Sequence, residues 1–400
     1  MKIKIILRPD FLLFSNVLIY QFSMILFAFG VVKSYHLELS NYNFYGGILR
    51  DFILLIFTGV LTVFLPVKRK TLKLYVKDNP KRIYRVLKIF SCISFLVCSY
   101  LCYLIYTKYG FNFFYNAITS TIRYDEEIVK QFPFLAFSML PFVSVILNIL
   151  SFQQRKNIHF LLLNIFCSLL YCFVFSARIF VIQFLVYGLA IWIRAKCFEK
   201  TIKVSYCIFI GGVVLLFLIL TASFRDYDTS GHNFTDNRYF WGMATINDYF
   251  LSCSIYSSNF LNYKNDQFDL SYYIPVLERF FTFEHKDLTK VFNFKDQYGY
   301  AAYTNLSTWI HITEFGFFHG LILLSLYVML LYQVWNLYAQ GHLAGYLFYP
   351  LILYSLLEFW RIPYLLEEIV QILAVILLFV YFYIRKDCFY EDSCDTMKVP

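Results

Sequence analysis

Two imidazoles and a carboxylate stand at the mouth of an apolar run, where a bilayer-spanning segment should avoid them. The stretch "TWIHITEFGFFHGLILL", Thr308 to Leu324, holds His311, Glu314 and His319. His311 and Glu314 are three residues apart and share one face of a helical lead-in. A carboxylate beside an imidazole fixes its tautomer and raises its pKa, which suits a general base at neutral pH. The structural alternative is a helix start, where the dipole favours an acidic residue. His319, a turn or more further along, reads as a satisfied core residue.

Arginine supplies the second kind of chemistry. Arg178, in "CFVFSARIFVIQFLVYG", sits in a tight turn between two apolar runs with no acidic neighbour in sequence. An arginine at the centre of a spanning helix costs at least about 2.5–3.5 kcal/mol, and less near the interface. It is either a snorkelling anchor or an anion clamp, since a guanidinium binds phosphate oxygens through a planar fork of donors. Arg225 in "TASFRDYD", Arg279 in "VLERFF" and Arg238 between them are further cations that could join it around a diphosphate. Interfacial anchoring is the alternative for Arg225, and a salt bridge to Glu278 or Glu284 for Arg279. "DYD" (Asp226–Asp228) resembles a D-x-D metal–nucleotide motif, but solvated loop charge is the better reading, as for "DEE" (Asp125–Glu127). Glu367 and Glu368 are expected to pair with Arg361. No Cys/His spacing matches a zinc site, so no metal and no cofactor is implied.

What must position these residues is a membrane. The 400-residue chain is 60% hydrophobic and 15% charged, against roughly 25% charged in a soluble domain. Apolar runs of about 20 residues suffice to cross a bilayer core, and they recur along the length. The pattern predicts an all-α polytopic protein with ten spans: Phe11–Val32, Ile48–Val67, Val86–Thr107, Phe132–Phe152, Ile158–Phe175, Ile179–Ile193, Val204–Ala222, Phe315–Trp335, Leu343–Phe359 and Leu365–Ile384. Helices one to seven thus fill 1–222, a large outer loop 223–314, helices eight to ten 315–384, and a cytoplasmic tail 385–400.

The loop "VKRKTLKLYVKDNPKRIYRVLK" supplies nine basic residues, which places it and both termini in the cytoplasm. The N-terminal "MKIKIILRPD" lacks a small-residue cleavage site and reads as retained. The net charge of +9 is therefore a topology signal, and no nucleic-acid partner is expected. The ten cysteines fall mostly in spans or cytoplasmic segments and read as apolar fillers, not a disulfide framework. The outer loop is dense in Tyr, Phe, Asn and Asp, too aromatic for disorder, and is expected to fold as short helices on the membrane face, with "YYIPVLERFF" (Tyr272–Phe281) as one. Rings beside polar groups suit a carbohydrate surface.

Multiple spans with cytoplasmic ends, a large outer loop before the last spans, "SAR" at Arg178 and "YTNLSTWIHITEFGFFHG" together resemble the Wzy-type oligosaccharide repeat-unit polymerases of bacterial envelopes. The corresponding positions of the second motif are Tyr303, Thr304, Glu314 (where Asp is more usual), Phe315, Gly316 and, one residue later than in the family pattern, Gly320. The resemblance implies a metal-independent glycosyltransferase in the bacterial cytoplasmic membrane. Its substrates would be polyprenyl-diphosphate-linked oligosaccharides, and a chain-length regulator and a flippase would be its neighbours. By the same resemblance Arg178 and Arg225 hold the donor diphosphate, Arg279 is a third candidate, and His311, assisted by Glu314, takes the acceptor proton.

An O-antigen ligase shares this topology and arginine logic. A lipid-linked oligosaccharide flippase or other transporter is the reading from another class, and it predicts charged residues deep in several spans. A membrane O-acyltransferase is a third option.

Overall fold

The computed structural model describes residues 2–31, 38–65, 80–113, 116, 128, 140–152, 158–174, 179–225, 237–262, 273–275, 307–313, 315–360 and 364–385. Among the described residues there is no strand beyond one isolated bridge, Lys2 to Thr201. After a single turn at Ile3–Ile6, the longer α-helices, in chain order, are α1 (Pro9–Ala28), α2 (Phe44–Phe64), α3 (Pro80–Tyr109), α4 (Leu140–Phe152), α5 (Ile158–Val174), α6 (Ile179–Lys196) and α7 (Val204–Arg225). They continue with α8 (Arg238–Ser258), α9 (Thr308–Thr313), α10 (Phe317–Gln340), α11 (Leu343–Leu357) and α12 (Glu368–Arg385).

Four helical stretches among the described residues are long and apolar enough to cross a membrane: Pro9–Ala28, Phe44–Phe64, Lys81–Asn112 and Phe317–Gln340. Their exposed faces are apolar. Phe14, Leu18, Phe22 and Ile25 line one side of α1, and Phe318, Ile322, Leu326 and Met329 line one side of α10. Continuous apolar stripes of this size are untenable in water and match acyl chains. Of the remaining helices, α4, α5 and α11 lie inside stretches expected to span, α6, α7 and α12 run one to three residues past such stretches, and α8 and α9 fall in none.

The chain divides into two compact units. The first comprises Met1–Leu65, Phe198–Gln333 and Ser355–Glu367. Here α1 begins with proline at its first position, where a missing N–H costs nothing. Asp10 in that first turn accepts from Arg8 at 2.8 Å and from the Thr62 hydroxyl of α2 at 2.8 Å. Asn43 caps α2 by accepting from the Gly46 N–H at 3.0 Å, and its own N–H donates to Ser258 Oγ at the end of α8 at 3.0 Å.

A Cβ on Gly46 would collide with the Ser258 carbonyl, and one on Gly242 would lie 2.6 Å from the Ile219 carbonyl of α7. Small residues at these crossings let the backbones close in. Gly46→Ala is expected to cost about 1–3 kcal/mol, because the obstructing atom is backbone. A thermal melt of the detergent-solubilised protein checks it; an unchanged midpoint would contradict the close contact.

The helix α8 departs from expectation. Where short surface helices are predicted, residues 238–258 form one helix of 21 residues, about 31 Å long. It packs on α1, α2 and α7, and Leu251 through Phe260 are buried without interruption. Of the expected helix Tyr272–Phe281, only Tyr273–Pro275 falls among the described residues.

The second unit comprises Pro66–Cys197, Val334–Tyr354 and Glu368–Pro400. In it α3, α4, α5 and α6 pack together, and buried Asn164 of α5 donates to Ser91 Oγ of α3 at 3.0 Å. Arg194, in the last turn of α6, donates to the carbonyls of Tyr338 at 2.8 Å and Ala339 at 3.0 Å. Those are carbonyls that the end of α10 leaves without helical partners. The chain then reverses at Gly341, φ +80°, and Tyr338 stacks on Tyr349 of α11 at 4.2 Å.

Candidate functional site

His311 lies on α9, a six-residue helix whose every residue is buried. Its position is fixed from several sides. The Thr308 N–H donates to the Phe359 carbonyl at 2.9 Å. Trp309 meets Phe260 edge-on at 5.3 Å. Ile310 joins Met24, Tyr42, Leu251, Ile255 and Tyr256 in one apolar cluster. The Tyr273 hydroxyl donates to the His311 carbonyl at 3.2 Å. The chain leaves α9 through Gly316, φ +108°, a conformation that only glycine adopts without strain. His319 sits at the start of α10 in a half-buried aromatic group with Phe315 at 5.3 Å and Tyr273 at 5.8 Å.

The His311 pKa moves opposite to expectation. Only 1% of the residue is exposed, and burial pushes the imidazole down to about 3. Desolvation disfavours the charged form, so the ring is neutral throughout the physiological range. This direction is opposite to the rise expected from a neighbouring carboxylate, and Glu314 itself lies outside the described residues.

A second buried cation was missed by the sequence reading. Arg50, in the second turn of α2, is 0% exposed. Its Nε donates to Asp51 Oδ1 at 2.8 Å, and its Nη1 donates to the Ser254 carbonyl at 2.8 Å and to Ser257 Oγ. Asp51 also accepts from Gln21. The guanidinium lies over the Trp360 ring, 4.8 Å from its centroid, a cation–π geometry. Nη2 makes no hydrogen bond among the described residues.

Trp360 in turn meets Tyr20 at 5.3 Å and Phe359 at 5.4 Å. Phe359, whose carbonyl holds α9, is therefore the immediate neighbour of the ring beneath Arg50. One turn of chain carries both the neutral imidazole's helix and the platform of the buried guanidinium.

No family model, curated protein or solved structure matches this chain.

The other candidates stand apart from this cluster or outside the description. Arg225 closes α7 and Arg238 opens α8, and neither side chain is among those described. Arg178, Arg279, Glu314, Arg361, Asp125–Glu127 and Asp226–Asp228 lie outside the described residues. Glu368 opens α12 and is buried. One signal could have exposed Arg50: it is a charged pair with Asp51 inside a predicted span, and intramembrane ionisable residues are functional candidates by default.

Proposed function

We propose that this chain is a polymerase joining polyprenyl-diphosphate-linked oligosaccharide repeat units into a surface polysaccharide. In this reading it crosses the bacterial cytoplasmic membrane ten times with both termini inside, and the chemistry takes place at the outer face. The supporting observation is the shared Phe359–Trp360 turn, which holds a neutral imidazole on one side and a buried guanidinium with donors to spare on the other.

The reaction needs both. The acceptor hydroxyl gives its proton to His311 while its oxygen attacks the anomeric carbon of the donor. The bond from that carbon to the diphosphate oxygen breaks, and the polyprenyl diphosphate leaves with the electron pair. Guanidinium donors stabilise that departing charge best where water is excluded. Arg50 is thereby added to Arg178, Arg225 and Arg279 as a diphosphate-binding candidate. Because His311 is 1% exposed, α9 must shift for the acceptor to reach it, and Gly316 is the natural joint.

A lipid-linked oligosaccharide flippase is the second reading, favoured by one observation: Arg50 and Asp51 lie within α2, a helix apolar enough to span. A polysaccharide gel from a deletion strain separates the readings. Loss of a polymerase leaves single repeats attached; loss of a flippase or a ligase leaves none. The deletion is expected to reduce the ladder to single repeats, and Arg178→Ala at normal protein level is expected to leave it so. A fully restored ladder would make Arg178 an anchor, and an unchanged ladder in the deletion would remove the polymerase reading.

A further inference from the structure

The exposed face of α3 changes from apolar to basic toward its N-terminus. Cys92, Leu96, Tyr103 and Tyr106 recur at helical spacing on one side and are exposed, as an acyl-facing stripe requires. Continued toward the N-terminus, the same face carries Lys88, Arg85 and Lys81, all exposed. The spacing of 81, 85, 88 and 92 keeps them on one line. Three cations therefore stand at the N-terminal end of the exposed apolar stripe.

Ion pairs seen among the described residues include Lys4–Glu199, Arg8–Asp10 and Arg50–Asp51, and none of these involves Lys81, Arg85 or Lys88. Arg85 is instead oriented by a neutral group: its Nη1 donates to the Tyr383 hydroxyl of α12 at 3.1 Å. Arg82 anchors the same tyrosine, donating to its carbonyl at 2.7 Å with its guanidinium 5.2 Å from the ring centroid. Beside Tyr383, Phe379 and Phe382 of α12 are exposed and apolar. The start of α3 thus presents guanidinium donors positioned on Tyr383, beside exposed apolar side chains of α12.

We propose that the start of α3 and the end of α12 form a binding site for an anionic glycerophospholipid. Arg85, with Lys81 and Lys88, takes the phosphate, and the acyl chains lie along Phe379, Phe382 and the α3 stripe. Charge complementarity selects the headgroup, and continuity with the acyl-facing stripe selects a lipid over a soluble phosphate. The site is independent of any reaction at His311 or Arg50.

Thermal unfolding of the full chain in mild detergent tests it, with phosphatidylglycerol, cardiolipin, phosphatidylcholine or glycerol phosphate added. The anionic lipids are expected to raise the midpoint, and phosphatidylcholine and glycerol phosphate to leave it in place. Arg85→Gln is expected to weaken the lipid effect about fivefold, roughly 1 kcal/mol for one juxtamembrane cation. Lys81→Gln with Arg85→Gln and Lys88→Gln is expected to abolish it while leaving the lipid-free midpoint unchanged. Equal stabilisation by phosphatidylcholine or glycerol phosphate would overturn the proposal. So would a triple variant that keeps the lipid response, or one that melts early without lipid, since the cations would then serve the chain's own acidic tail.

Discussion

Arg50→Ala is expected to destabilise the first unit by about 3–5 kcal/mol, the range for removing one member of a buried ion pair. The loss has identifiable parts. Asp51 keeps Gln21 but loses its cationic partner, the Ser254 carbonyl and Ser257 hydroxyl of α8 lose a donor, and the Trp360 face loses its cation. A melt of the solubilised protein measures it. Stability alone would make Arg50 a staple, so a second variant is needed. Arg50→Met with Asp51→Leu replaces both charges by apolar groups, and such exchanges are often neutral or stabilising. That double variant is expected to fold and yet to leave single repeats on the gel. A full ladder from it would confine Arg50 to holding α2 against α8 and take it out of the proposed mechanism.

The variant pair also shows why this site is hard to read from sequence. The apolar runs announce α1, α2, α3 and α10 because a helix facing lipid must be apolar on its outer side. Nothing comparable announces α8. Its polar residues turn inward and satisfy themselves on the helix: Thr245 donates to the Trp241 carbonyl at 3.0 Å and Ser258 to the Ile255 carbonyl at 2.6 Å. A hydropathy window registers those hydroxyls as polarity although they bury as part of a packed face. Arg50 is opaque for a related reason. Its partners Ser254, Ser257 and Trp360 come from the far side of the chain, and only the folded first unit brings them to α2.

His311 presents the reverse case. Its type and neighbourhood are visible in "TWIHITEF", and the lead-in to α10 is helical as the sequence suggests. Its protonation is not legible, because spacing places Glu314 beside it while burial is a property of the whole packing. Six consecutive buried residues in α9, enclosed by Met24, Leu251, Tyr256 and Phe260, remove the solvent that a charged imidazole needs. Desolvation therefore sets the direction of the shift.

That shift fixes a pH dependence with a definite sign. Above about pH 6.5, the ordinary histidine pKa, His311 is neutral in both folded and unfolded chains and contributes no slope. As the pH falls below that value the unfolded chain takes up a proton that the folded chain refuses until about pH 3. Stability is therefore lost on acidification, by up to about 1.4 kcal/mol per pH unit across that window. His311→Gln is expected to flatten this part of the melting profile, and a profile unaltered by the substitution would remove the burial argument.

Catalysis asks more of the same ring, since an imidazole with so low a pKa is a weak base. A diphosphate bound nearby supplies negative charge that favours the protonated form and raises the pKa. The activity profile with donor bound is accordingly expected to lose its acid limb at a higher pH than the stability profile does. His311→Ala is expected to lower polymerisation by about 10²–10⁴-fold, the usual contribution of a positioned base, and to remove that limb. In vitro chain extension with lipid-linked repeats, measured across pH for both proteins, checks the two together. A slower His311→Ala enzyme that retained the acid limb would assign the titration to another group and leave His311 a packing residue.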